Sequence, residues 1–534
     1  MNKVRELINI EKINYLILFS VFFLLIFYIN SSLSFTEDYL KHWSTYHHDD
    51  IVFVYNSLLY LEGIELHHLD HPSLFTYIIF PFFYKVFYHI GYIDFYNLSS
   101  FLESSDINLS LSKLFYISRL VIQIFSIGII ALIYKIAKSF SLRSTDALLI
   151  GLLFIISTGF ISASNRIESG LIAIFFLLFS FYLFLKFIKS KNKKSLIYLV
   201  FSFLLIFSGM MQKKIVYFAI PFMFLSSIMF LKKNEIIYQK YEIFNYRSLY
   251  KYFLIVLYFF VFAFIYYKTI DNNTFHLSRD LDFIFLITNF LGFNLLFFFY
   301  IKYFQNKYYE NLLTYNILLG VTYFFYKYFL IYTFSAPPAI WSISFTNFLV
   351  QLNMFVGTGD VKEAFDFGSL NLYLLKLTSN FNFIINKYFF SLNYQSILIW
   401  ANLLLFLTFF FKISSKEKFS ILSLFFGFFI VQSIILFRYE QDTYYLNTEF
   451  LLLFSLCILL KNIKNKINYI CISIILIISL FNSNISHLKS LKKDNFKSYC
   501  YLFKDFESVD GFYEYYTNKI PKNIRKNFCI DYKL

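Results

Sequence analysis

Residues 73–92 read SLFTYIIFPFFYKVFYHIGY, and how this stretch meets a membrane decides on which side every later loop lies. Twenty mostly apolar residues are enough to cross a bilayer. The membrane itself follows from the whole chain. Its 534 residues are 58% hydrophobic and 15% charged, where a soluble domain carries about 25% charged residues. At 24% aromatic the chain is not a disordered one either.

Further apolar stretches fall at about 13–31, 115–137, 146–163, 167–187, 195–211, 215–231, 252–269, 283–302, 311–335, 395–412, 419–437, 447–461 and 467–484, which gives about 13 spans. The first lacks a small-residue cleavage site and is read as a retained span rather than a signal peptide. The lysines then set the orientation. Lys3, Arg5 and Lys12 precede the first span, and the rich loops hold Lys138 and Arg143, Lys186 to Lys194, Lys232 to Lys251, Lys302 and Lys307, Lys412 to Lys418, and Lys461 to Lys466. With a cytoplasmic start all of these fall inside, as the positive-inside rule asks.

Counting 73–92 as a span would place every later lysine-rich loop outside. The stretch is therefore expected to lie as a helix on the outer membrane surface, with Pro72 in its first turn and Lys85 and His89 at headgroup level. The alternative is a fourteenth span. A reporter inserted after Ser190 is expected to read cytoplasmic, and an outside reading would overturn this topology.

The expected architecture is an all-α, polytopic transmembrane domain over 1–484, with outer loops at 32–114 and 336–394, and a C-terminal extramembrane tail at 485–534. The net charge of +15 then sets sidedness, and no nucleic-acid partner is implied. Cys457 and Cys471 fall in spans. Cys500 and Cys529 fall in the tail, as a disulfide or as two free thiols.

The first outer loop is chemically the densest part of the chain. It runs YHHDDIVFVYNSLLYLEGIELHHLDHPSLF from Tyr46, and seven of the nine histidines lie between 42 and 89. Asp49 and Asp50 follow His47 and His48, and Asp70 precedes His71. Paired carboxylates at a membrane face serve as a general base or a metal site. The plain structural reading is interfacial histidines, with Asp49 or Asp50 capping a helix from Ile51. No Walker loop, GxGxxG, HExxH or GxSxG motif competes.

Arginine is scarce in this lysine-biased chain, and Arg119, Arg166, Arg279 and Arg438 all fall at outer span ends or in outer loops. A guanidinium grips phosphate with a planar fork that lysine lacks. Pairing with Glu168, Asp280 or Glu440, or headgroup anchoring, is the alternative. Lys213 and Lys214 break the inside bias, and Lys327 lies within a span.

The order of these features resembles the GT-C glycosyltransferases, closest to the protein O-mannosyltransferases and the aminoarabinose transferase of lipid A. The matching elements are Asp49-Asp50 and the segment Ile51–Glu62. Asp70-His71-Pro72, Arg119 opening a span, the turn KSFSLRS and the corner Ser164-Asn165-Arg166-Ile167-Glu168 follow, then Lys213 or Lys214 and a late Arg438-Tyr439. The chain departs from the family's usual Asp-Glu and His-Pro-Pro, having Asp-Asp and His-Pro-Ser.

The resemblance implies transfer of a sugar from a polyprenyl-phosphate donor to an extracytoplasmic acceptor, at the outer face of what is expected to be a bacterial inner membrane. It implies Asp49 as general base and Asp50 as the residue orienting the site. His71, Arg119, Arg166, Glu168, Lys213, Lys214, Arg438 and Tyr439 are implied to contact substrate. The family is mixed in its use of metal, so a divalent cation stays open, with Asp49, Asp50 and His48 as candidate ligands. A polytopic carrier or lipid flippase would share the spans and the interfacial charges. A scaffold subunit would leave the His/Asp loop unexplained.

Overall fold

The computed structural model describes residues 2–30, 48–61, 73–97, 107–190, 196–213, 218–230, 367–391, 393–436, 445–462, 465–480 and 488–489. All regular structure among them is helical. In chain order the helices are α1 (Asn2–Asn30), α2 (His48–Leu61), α3 (Leu74–His89), α4 (Ile107–Ser139), α5 (Ser144–Ile155), α6 (Thr158–Ser164) and α7 (Ser169–Lys189). They continue as α8 (Leu196–Gln212), α9 (Ile220–Phe230), α10 (Phe367–Phe390), α11 (Tyr394–Phe409), α12 (Ser415–Ile435), α13 (Leu446–Lys461) and α14 (Asn465–Ser479).

Four of these helices, α1, α4, α7 and α12, are long and apolar enough to cross a membrane, or six spans if two bent pairs are each counted as one. The chain is thus a helical protein of membrane-embedded character. The expected stretches 252–269, 283–302 and 311–335 lie outside the described residues, as do Lys327, Arg279, Cys500 and Cys529.

The stretch 73–92 forms one helix of 16 residues, α3, about 24 Å of rise against a hydrocarbon core of about 30 Å. Gly91, at φ 74°, follows its last turn in a left-handed conformation that suits a residue without Cβ. Leu74, Tyr77, Phe80 and Tyr84 face inward. Their spacing of three to four residues is that of one helix face, and it packs α3 on α2, α4 and α8.

Two expectations are altered. The stretch 146–163 is not one straight helix: α5 and α6 meet at a 64° bend. The second outer loop, expected at 336–394, contains α10, which meets α11 at 83°. The asparagines, serines and Lys376 of α10 hide a helix that packs on α12.

The bend has a local cause in Ser157-Thr158-Gly159. Ser157 N–H bonds the carbonyl of Phe154 instead of Leu153, so the α-helical ladder stops. The Ser157 hydroxyl then accepts from Phe160 N–H and caps α6. Backbone groups freed this way are costly within a bilayer unless other side chains take them up. Tyr394 donates its hydroxyl hydrogen to the Leu153 carbonyl (2.8 Å), and Glu449 accepts from Gly159 N–H (3.3 Å).

Helix α13 lies at the centre. Every residue from Leu446 to Leu460 is buried, so it is covered on all sides, in contact with α5, α6, α7, α11 and α12. By contrast α1 leaves Leu16, Leu24 and Phe27 exposed on an apolar flank, as a lipid-facing helix does. Cys457 is buried within α13, and Cys471 in α14 is partly covered; both are free thiols.

Candidate functional site

The site begins with charges that an apolar bundle tolerates only in pairs. Asp50, in the first turn of α2, is 1% exposed. Its Oδ1 accepts from the backbone N–H of Ile167 (2.9 Å), and its Oδ2 lies 3.9 Å from the Arg119 guanidinium. Arg119 is itself buried on α4, on the stripe that also carries Gln123 and Ser126 at the spacing of one helix face.

Ile167 belongs to the corner between α6 and α7. Asn165 N–H and Arg166 N–H still bond back into α6, at Ser162 and Ala163, and Ile167 is the next amide along, turned to Asp50. Glu168 then stands at the N-cap of α7 without capping it by its side chain. Its Oε2 lies 3.8 Å from Lys213 Nζ, at the end of α8, and its buried Oε1 has no hydrogen-bond partner among the described residues. Gly170 makes room for this lysine: a Cβ there would lie 3.0 Å from Lys213 Nζ.

Both ion pairs are longer than the roughly 2.7–2.9 Å of a charge-assisted hydrogen bond. Among the described residues, two acids thus face two cations without closing on them.

Polar clasps hold the frame. Gln212 donates to the Thr76 hydroxyl and accepts from Thr76 N–H (3.2 Å), which ties α3 to the residue before Lys213. Tyr84 and Ser118 share a hydrogen bond of 2.6 Å beside Arg119, and Asn56 donates to Tyr77 (3.4 Å) between α2 and α3. Ser126 bonds Ser164 (3.0 Å) between α4 and α6. Burial pushes Tyr84 upward and Tyr60 up to about 12.

The structure brings together Asp50, Arg119, Glu168 and Lys213 from four separate stretches of sequence. Arg166 sits between Asn165 and Ile167 on the same corner, half-buried. Asp49 and His48 share the first turn of α2 with Asp50. His71, Lys214, Arg438 and Tyr439 lie outside the described residues.

Sequence reasoning missed Gln212, the backbone of Ile167, and Glu449. For Glu449 a signal was present: a single acid in the run LNTEFLLLFSLCILL, where the bilayer makes charge expensive.

Fold and site together define a helical membrane protein in which, among the described residues, two acids and two cations face each other in a largely buried polar cluster. Compared with protein-family models, curated proteins and solved structures, the chain matches none.

Proposed function

We propose that the chain is an integral membrane glycosyltransferase of the GT-C type, moving a hexose or pentose from a polyprenyl-phosphate to an acceptor outside the cytoplasm. The acceptor is a glycan, lipid or protein of the cell envelope, and the setting is a bacterial inner membrane with the site at its outer face. The observation that carries this reading is the meeting of Asp50, Arg119, the Ile167–Glu168 corner and Lys213 in one buried cluster.

In this reading the acceptor hydroxyl or amine attacks the anomeric carbon and its proton passes to Asp49. The new bond forms as the anomeric carbon–oxygen bond to phosphate breaks, with inversion. The electron pair leaves on the phosphate oxygen, and Arg119, Arg166 and Lys213 stabilise that charge. Asp50 holds Arg119 and the corner in place. A divalent ion at Asp50 would compete with the guanidinium and the Ile167 N–H already facing its carboxylate.

The test is Asp49→Asn in membranes supplied with radiolabelled undecaprenyl-phosphate mannose or aminoarabinose. Transfer is expected to fall by about 10²–10⁴ with the thermal midpoint unchanged, as for loss of a general base. Full transfer by a correctly inserted Asp49→Asn variant sinks the assignment.

A carrier remains the second reading, on one observation: the broken pair α5–α6 beside the buried Glu449 is a feature that transporters use at ion or substrate sites. Reconstituted protein that takes up solute and transfers no sugar would favour it.

A further inference from the structure

We infer that Glu449 is a positioning residue for the Asp50 site, acting through the short helix α6. This rests on reading the Asp50 cluster as the place of transfer.

A seven-residue helix has too few internal hydrogen bonds to set its own position. Helix α6 takes it from its two ends. At its start, Glu449 Oε1 on α13 accepts three hydrogen bonds: from Gly159 N–H (3.3 Å), from the Thr158 hydroxyl (3.2 Å) and from the Gln395 amide on α11 (2.6 Å). Gln395 also donates to Thr158 (2.8 Å), closing the ring. Glu449 and Gln395 are both buried, so none of these bonds competes with bulk water. Just past its other end, Ile167 N–H meets Asp50.

One short rod is thus gripped by a carboxylate at each end, Glu449 before it and Asp50 after it. Its span of about 10 Å leaves little slack to absorb a shift. The last turn is pinned sideways by Ser164 against Ser126, on the same face of α4 as Arg119. Loosening the first grip therefore moves the Ile167 amide and, with it, the carboxylate that faces Arg119.

A residue that only satisfied the broken backbone would protect Gly159 and nothing beyond it. Hydrogen exchange on the purified full chain in nanodiscs separates the two roles. Glu449→Ala is expected to speed exchange at both Gly159 and Ile167 by about tenfold or more, with α12 unchanged. Glu449→Gln keeps an acceptor oxygen and is expected to stay near wild type at both. With labelled undecaprenyl-phosphate mannose, Glu449→Ala is expected to lower kcat about tenfold at constant KM, with Glu449→Gln restoring most of it.

Fast exchange at Gly159 with Ile167 still protected overturns the inference. Coupled exchange with no transfer by the wild-type chain would leave the coupling standing and remove the transferase reading instead. If Glu449→Ala does not fold, Gln395→Leu, which deletes the shortest of the three bonds, is read in the same way.

Discussion

Asp50→Ala is expected to cost about 3–5 kcal/mol of stability and to cut sugar transfer by about 10²–10³. Two losses combine. Arg119 is buried on α4 and would keep its charge with its facing carboxylate removed, which is the expensive way to break a buried pair. The Ile167 amide would lose its acceptor at a corner where neighbouring amides are already committed to α6. Asp50→Asn separates the two. Its side-chain oxygen still accepts from Ile167, so the stability loss should be the smaller, while Arg119 still loses its counter-charge. Thermal unfolding in detergent and transfer in membranes read the two effects side by side. An Asp50→Ala variant with wild-type midpoint and wild-type transfer would show that the cluster neither holds the fold nor serves the reaction.

The second large effect is expected at Gly159→Ala. A Cβ on Gly159 would stand 2.3 Å from the backbone nitrogen of Leu446, 2.7 Å from the carbonyl carbon of Tyr445 and 2.7 Å from Glu449 Oε2. Two of these atoms are main chain, at the first residue of α13 and the residue just before it, and cannot rotate aside, so α6 must withdraw. Overpacking of this kind costs about 1–3 kcal/mol even where neighbours yield, and the upper end applies here. Sugar transfer should fall as well, because α6 leads into the Ile167 corner. Gly128→Ala is the matched control. Its Cβ would meet the ring of Phe175 at 2.6 Å, but that contact is the far end of a partly buried side chain and not main chain. A midpoint unchanged by Gly159→Ala would mean that α6 and α13 are not packed as described.

Why was half of the site readable beforehand? In an apolar chain a charge stands out, and burial obliges it to find a partner. Arg119 opening a span, Glu168 at a span boundary and Lys213 outside the inside-positive pattern could each be singled out on that ground. Which acid meets which cation was not readable. Asp50 faces across to Arg119 on α4, a choice made by tertiary packing.

The break at Ser157 was hidden for another reason. Averaged hydropathy over 146–163 stays high, although Ser-Thr-Gly inside a span is what a helix restart requires. Helix α10 escaped in the opposite way, since its asparagines and lysines pull down the apolar signal while the periodicity persists.

The complete enclosure of α13 has a consequence for biogenesis. A helix with no lipid-facing side has no resting place until its neighbours are present, and it is among the last described segments to leave the ribosome. Helices α5, α6 and α7 are inserted long before it and must wait with an unfilled seam. The Asp50 cluster is drawn wholly from residues before Ile215, so its groups are synthesised well before α13. A chain stalled short of α13 would hold these groups without the carboxylate that grips the start of α6.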